Sequence, residues 1–229
     1  MPVTPSTFTA VIVAGGMGTR MGKEIPKQFL DLGGKPVVRH CLETFASLSE
    51  CEELVLVLPS DRIDQGRTLL VGFHPGKPFS IVPGGVRRQD SVAAGLRAVL
   101  SSDAWVAIHD AARPLIPAEI ILGAFSLARK KGNAVVATSA IDTLVYSDDS
   151  GCITGNIDRS QVRCIQTPQI FPAALLRQAL TKADEDGISG TDDAGLVQRL
   201  GVSIHLAPGS TRNMKLTTID DLRILAAFL

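Results

Sequence analysis

The chain is most constrained by one stretch, Val11-Ile12-Val13-Ala14-Gly15-Gly16-Met17-Gly18-Thr19-Arg20-Met21. A short, continuous, β-branched apolar run reads as a strand buried on both faces, which is characteristic of a parallel sheet. Here that strand runs straight into a glycine turn. Glycines let main-chain N–H groups close on an anion without Cβ obstruction. Arg20 lies in the same loop, and Lys27 follows in Pro26-Lys27-Gln28. Two fixed positive charges beside an anion-cradling loop fit a nucleoside triphosphate whose phosphates are to be attacked.

Spacing excludes two other phosphate loops. A Walker A loop ending at Gly22-Lys23 needs glycine at position 17 and Ser or Thr after the lysine, but Met17 and Glu24 stand there. A dinucleotide fingerprint fits Gly16 and Gly18 and then meets Met21 in place of its third glycine. A dehydrogenase is therefore disfavoured.

Further apolar runs at 53–58, 79–82, 104–108 and 134–138 repeat the pattern of the first strand, 8–13. Helical patterns fall between them, near 36–47, 89–100 and 117–132. The last of these has Pro117 at its first turn and Gly132 just past its end, the usual asymmetry. Alternating β and α elements predict an α/β, Rossmann-like three-layer sandwich with a mainly parallel sheet. Ligands in such sheets sit at the carboxyl ends of the strands. The Gly15 loop follows the first strand, and Asp110 follows the fourth.

The pattern changes after Ala140. Residues 141–145 and 152–157 read as strands around Ser147-Asp148-Asp149-Ser150-Gly151, a hairpin turn sequence. Such a hairpin has no obvious core, so it either folds back or pairs with a second copy. Helices return at about 173–184, 192–200 and from 218 on. One domain over 1–229, with a β-arm at about 140–167, is the economical organisation.

Composition narrows the partners. With 23 basic and 23 acidic residues the formal net charge is zero, so no general nucleic-acid coat is expected. Met1-Pro2-Val3-Thr4-Pro5 does not read as a secretory leader, and no apolar run reaches the ~20 residues that span a bilayer. The expectation is a cytoplasmic protein without membrane contact. Cys41, Cys51, Cys152 and Cys164 form no C-x-x-C pair and the four histidines show no H-E-x-x-H spacing, so a protein-held zinc is not expected.

Four further constellations admit two readings each. In His109-Asp110-Ala111-Ala112-Arg113-Pro114, Asp110 suits a Mg²⁺ that bridges phosphate oxygens, or else pairs with Arg113 to hold a turn. Gly84-Gly85-Val86-Arg87-Arg88-Gln89-Asp90-Ser91 allows close backbone approach to a flat base, or is a capped glycine turn. Asp158-Arg159, Thr167-Pro168-Gln169 and Asn213-Met214-Lys215 could clamp an acceptor phosphate, or present ordinary surface charge. Thr191-Asp192-Asp193 caps a helix and could also line the site.

Taken in order, these segments resemble the 2-C-methyl-D-erythritol 4-phosphate cytidylyltransferase family of the non-mevalonate isoprenoid pathway. The resemblance covers nearly the whole chain, from Val11 to the last helix. It implies a homodimer with an exchanged β-arm, a divalent cation such as Mg²⁺, and two small-molecule substrates, CTP and a polyol phosphate. Arg20 and Lys27 would stabilise the α-phosphate in its transition state. Ala14, Gly15, Gly16, Met17, Gly18, Thr19, Gly84, Gly85, Asp90 and Ser91 would bind CTP, with backbone around Ala14, Gly15 and Gly85 and the hydroxyl of Ser91 reading the cytidine. Asp110, Thr143, Arg159, Thr167, Thr191 and Lys215 would hold the acceptor, Thr143 and Arg159 from the partner's arm, and Asp110 would stand near the metal.

Two departures accompany the resemblance. Val86-Arg87 stands where relatives usually carry an acidic residue, and so does Arg212. The nearest alternative is a ribitol 5-phosphate cytidylyltransferase, which differs in its acceptor pocket. A sugar-1-phosphate nucleotidyltransferase leaves Thr167-Pro168-Gln169 and Asn213-Met214-Lys215 unexplained. A non-catalytic CTP-binding module has no need of Arg20, Lys27 and Asp110 together.

Overall fold

The structure, a computed structural model, describes residues 5–15 and 26–229. Among them the central sheet has seven strands. They are β1 (Phe8–Val13), β4 (Cys51–Leu58), β5 (Phe79–Pro83), β6 (Trp105–Asp110), β7 (Ala134–Ser139), β10 (Arg163–Pro172) and β11 (Leu206–Pro208), in the order β11-β7-β10-β6-β1-β4-β5. Four neighbour pairs are parallel, and both pairs made by β10 are antiparallel. The expected α/β sandwich with a mainly parallel sheet is what forms.

The apolar run of β1 has a simple cause. Ala10 and Ile12 enter one core with helix α1 (Val37–Ser47) and helix α4 (Ala118–Lys131). Val11 and Val13 enter the opposite core with helix α3 (Arg88–Ala98) and helix α5 (Ala173–Glu185). Every residue of β1 is buried, so neither face tolerates the polar alternation of a half-exposed strand. On the second face Gly95 brings α3 against the sheet, since a Cβ there would lie 2.4 Å from Cγ1 of Val11.

Chain order creates the crevice. From β1 the chain moves outward through β4 and β5, then returns past β1 to form β6 on its other side. A doubly wound sheet opens a ligand cleft at such a switch point, outside the carboxyl ends of the strands. There Val13 pairs with Asp110 on one side and Val57 on the other.

Several elements depart from expectation. Strand β10 lies inside the sheet although Pro168 and its polar neighbours argue against a strand. Its register with β7 breaks between Ile165 and Gln169, which accommodates the proline. Residues 163–167, assigned to the arm from sequence, belong to this strand. Helix α2 (Ile63–Leu69), the short pair β2 (Asp31–Leu32) and β3 (Lys35–Pro36), and β11 were not anticipated, because each is too short to show a period.

The arm itself is a separate hairpin of β8 (Leu144–Ser147) and β9 (Ile153–Ile157). Asp148 closes it by accepting from the backbone N–H groups of Ser150 and Cys152. Ile141, Tyr146 and Ile153 remain largely exposed, at 75%, 63% and 68%. The last two helices are α6 (Asp193–Gln198) and α7 (Ile219–Ala226).

Candidate active site

The carboxyl edge of the sheet carries a pocket of about 280 Å³. Ala14 and Gly15 enter it from the end of β1, Gly85 from the loop before α3, Ser91 from the first turn of α3, and Asp110 from β6. Gly15 and Gly84 both pack on the Ser91 side chain, where a Cβ would stand 3.0 Å and 2.6 Å from its Oγ. That hydroxyl accepts from the Gly85 N–H at 3.2 Å. The second glycine loop is thus pinned beside the first, and Gly15 and Gly85 both line the pocket.

Asp90 does something else. Its carboxylate accepts from the backbone and guanidinium of Arg87, forming the capping box of α3, and it does not line the pocket. Gly84 is likewise a packing residue behind the loop.

Lys27 and Gln28 form the opposite wall. Gln28 is buried and donates to the Ala14 carbonyl at 2.6 Å. The Lys27 ammonium donates to the Leu216 carbonyl at 2.9 Å, and the Leu216 N–H to the Ala112 carbonyl at 2.7 Å. These bonds draw the extended segment around Lys215 over the end of β6. Gly16, Met17, Gly18, Thr19 and Arg20 lie outside the described residues.

Asp110 is the centre of charge. Its Oδ2 lies 2.7 Å from the Lys215 ammonium and its Oδ1 3.3 Å from Nε of Arg88. Burial pushes its carboxyl up, but the cations Arg88, Lys215 and Arg113 outweigh that and hold it well below the usual carboxylate range. The turn reading of Asp110 with Arg113 is half right. The Arg113 N–H bonds the Asp110 carbonyl at 2.9 Å, while its guanidinium turns away to the carbonyls of Asn213 and Ile165.

A second pocket, of about 320 Å³, begins on the other side of Asp110. Thr167, Gln169, Thr191 and Asp192 line it, and it shares Arg88, Asp110 and Lys215 with the first. Thr167 is fixed by accepting from the Asp110 N–H at 3.0 Å and by its contact with Nδ1 of His109 at 3.1 Å. His109 is wholly buried, and that burial holds its imidazole down to about 4, so it is neutral. Asp192 caps α6 through the Gly195 N–H, as expected.

Of the proposed acceptor residues, Asp110, Thr167, Thr191 and Lys215 come together, and Thr143 and Arg159 do not. Both are exposed on or beside the arm, where the Arg159 guanidinium donates to the Ile141 carbonyl, and neither lines either of these two pockets. Arg88 and Arg113 line the second pocket, but neither was proposed from sequence as a binding residue. Arg88 follows a double glycine, which was a usable signal. Among the described residues no three His, Cys, Asp or Glu side chains group to hold a metal unaided.

The family model described as 2-C-methyl-D-erythritol 4-phosphate cytidylyltransferase matches residues 8–229. The chain belongs to that family. A relative of that name from Symbiobacterium thermophilum is 40% identical over 221 residues, covering 96% of this chain and 92% of the relative. One from Syntrophus aciditrophicus is 38% identical over 96% of this chain and 94% of its own length. Among solved structures, the cytidylyltransferase of Thermus thermophilus superposes with a TM-score of 0.79 at 31% identity, covering 97% of this chain and 98% of its own. The 4-diphosphocytidyl-2C-methyl-D-erythritol synthase of Anaerococcus prevotii gives a TM-score of 0.85 at 27% identity, with 98% of both chains covered.

Proposed function

We propose that this chain joins CTP to 2-C-methyl-D-erythritol 4-phosphate, releasing pyrophosphate and 4-diphosphocytidyl-2-C-methyl-D-erythritol. The observation that carries the reading is the pair of pockets meeting at Asp110 and Lys215. CTP occupies the pocket of Gly15, Gly85 and Ser91. The acceptor occupies the pocket of Thr167 and Thr191.

An oxygen of the acceptor phosphate attacks the α-phosphorus in line. The new P–O bond forms as the bond to the β-phosphate breaks, and pyrophosphate leaves with that electron pair. A phosphate monoester is already anionic at neutral pH, so the step needs no general base. Positioning and charge neutralisation then supply most of the acceleration. Lys27 and Arg20 counter charge on the triphosphate, and Lys215 holds the acceptor phosphate. Buried His109 is neutral and bonded on both ring nitrogens, which leaves it a scaffold.

A divalent cation such as Mg²⁺ fits the donor set. One carboxylate, Asp110, adjoins the place where phosphate oxygens gather, and Mg²⁺ is commonly held by one or two carboxylates with substrate phosphates. Bound there, it would neutralise triphosphate charge.

The working unit is a homodimer whose arms reach the partner's acceptor pocket with Thr143 and Arg159. Its support is the hairpin's exposed Ile141, Tyr146 and Ile153, since an isolated two-stranded hairpin is marginal in water. The chain is otherwise one nucleotidyltransferase domain. A cytoplasmic setting agrees with four free cysteines and with the lack of any described helix long and apolar enough to cross a membrane.

Pyrophosphate release with CTP and Mg²⁺ tests the reading, run in parallel with methylerythritol 4-phosphate and ribitol 5-phosphate. Faster release with the former is expected. Preference for ribitol 5-phosphate would overturn the acceptor assignment, and silence with both would overturn the reaction.

A further inference from the structure

Arg88 is the first residue of α3, where the helix dipole disfavours a cation. Helix stability therefore does not explain it. Its side chain is only a quarter exposed, and it bridges two carboxylates: Nε lies 3.3 Å from Oδ1 of Asp110 and Nη2 2.8 Å from Oδ2 of Asp193. The two carboxylates outweigh burial and keep the guanidinium charged.

Asp193 is wholly buried, and its second oxygen, Oδ1, has no hydrogen-bond partner among the described residues. Burying a carboxylate with one oxygen unsatisfied is costly, and a buried ion pair often stabilises less than apolar side chains of the same volume. What this pair does provide is a fixed position for Arg88. Asp193 is itself anchored, because the next residue, Ala194, donates its N–H to Gln169 of β10 at 2.8 Å. From the α3 side Gln89 accepts from the Gly190 N–H at 3.1 Å. The start of α3 and the segment that carries Thr191 are thereby fastened together.

The fastened wall is common to both pockets, and Arg88 lines each of them. Its Nη1 takes part in neither carboxylate contact. Attack brings the acceptor phosphate and the α-phosphate, both anionic, to this wall. A planar guanidinium suits phosphate oxygens there.

Resting on the reaction proposed above, we propose that Arg88 is a catalytic residue that donates hydrogen bonds to the reacting phosphates, and that Asp193 is the positioning residue that holds it between the two pockets. No proton is transferred. Arg88 offsets the repulsion between the two anions as the P–O bond forms.

The test combines kinetics, thermal melting and calorimetry on Arg88→Met, Arg88→Lys and Asp193→Asn of the full chain. Arg88→Met should lower kcat/KM for the polyol phosphate by about 10²–10³, the scale of a lost transition-state donor, with Arg88→Lys recovering about tenfold of it. Asp193→Asn keeps the shape and relieves the unsatisfied charge, so kcat should fall about tenfold while the melting temperature holds or rises. Wild-type kcat in Arg88→Met, to within about threefold, would overturn the proposal, as would an Asp193→Asn variant that loses melting temperature at unchanged kcat. Should Arg88→Met not fold, Asp193→Asn decides. If the wild type turns over neither polyol phosphate, the reaction assignment fails separately. Pyrophosphate binding then reads Arg88 alone: about tenfold weaker affinity in Arg88→Lys supports its phosphate contact, and equal affinity overturns it.

Discussion

The Lys215 ammonium lies 2.7 Å from Oδ2 of Asp110, a contact across 105 positions of sequence. It fastens the segment before α7 to the carboxyl end of β6, at the seam between the two pockets. With Arg88 on its other oxygen, Asp110 holds two cations at that seam.

Asp110→Asn should lower kcat by about 10²-fold, because Lys215 and Arg88 lose the charge that orients them. If Asp110 also helps hold Mg²⁺, the Mg²⁺ concentration for half-maximal pyrophosphate release should rise. A titration of Mg²⁺ at saturating CTP measures both, and an unchanged Mg²⁺ requirement would remove Asp110 from the metal site.

Lys27→Ala should lower kcat by about 10²–10³, or ~3–4 kcal/mol of barrier, if the ammonium stabilises the transition state. Steady-state kinetics decide this. A change confined to KM for CTP would make Lys27 a ground-state binder.

Acidification should weaken the fold through His109. Its folded value of about 4 lies below the ordinary 6.5, so the unfolded chain takes up a proton first. Its contribution is complete above about pH 6.5 and is lost as pH falls toward 4, a change of about 3 kcal/mol. Asp110 is also depressed, but it titrates below that window. Urea midpoints measured between about pH 7.5 and 4.5 should therefore drop, and His109→Gln should flatten the slope.

Gly95→Ala should destabilise by about 1–3 kcal/mol, since the added Cβ meets the Val11 and Val57 side chains. Urea unfolding reads the loss. Activity should fall as well, because α3 carries Arg88 and Ser91 into the site.

The proposed arm exchange predicts complementation. Arg159→Ala and Lys215→Ala should each be nearly inactive alone. Mixed after unfolding and refolding together, they should recover roughly a quarter of wild-type turnover, because each mixed dimer holds one intact site if oligomers form as closed pairs. No recovery, despite dimers on a sizing column, would place Arg159 in its own subunit's site or outside the site altogether.

Much of the scaffold was legible locally. The run Phe8–Val13 is apolar at every position but Thr9 because both of its faces are buried, and Gly132 ends α4 in the left-handed region at φ 92°. Strand β10 was not legible, because Pro168, Thr167 and Gln169 obscure any strand pattern and its pairing depends on partners far along the chain. Nor could sequence separate Arg87 from Arg88. Arg87 lies at the half-exposed rim of the first pocket and pairs with Asp90 and Asp184, while its neighbour turns inward to Asp110 and Asp193.

By itself, then, the sequence determined the longer periodic elements, the glycine loops at the carboxyl edge and the kind of charge gathered there, because these follow from side-chain periodicity and backbone freedom over a few residues. Only the tertiary structure decided which charges meet. Lys215, Arg88 and Asp193 reach Asp110 or its neighbour through sheet order, helix phase and the packing of α3 on β1. A charge gains an ionic partner only when the folded chain excludes water and brings both within a few ångströms.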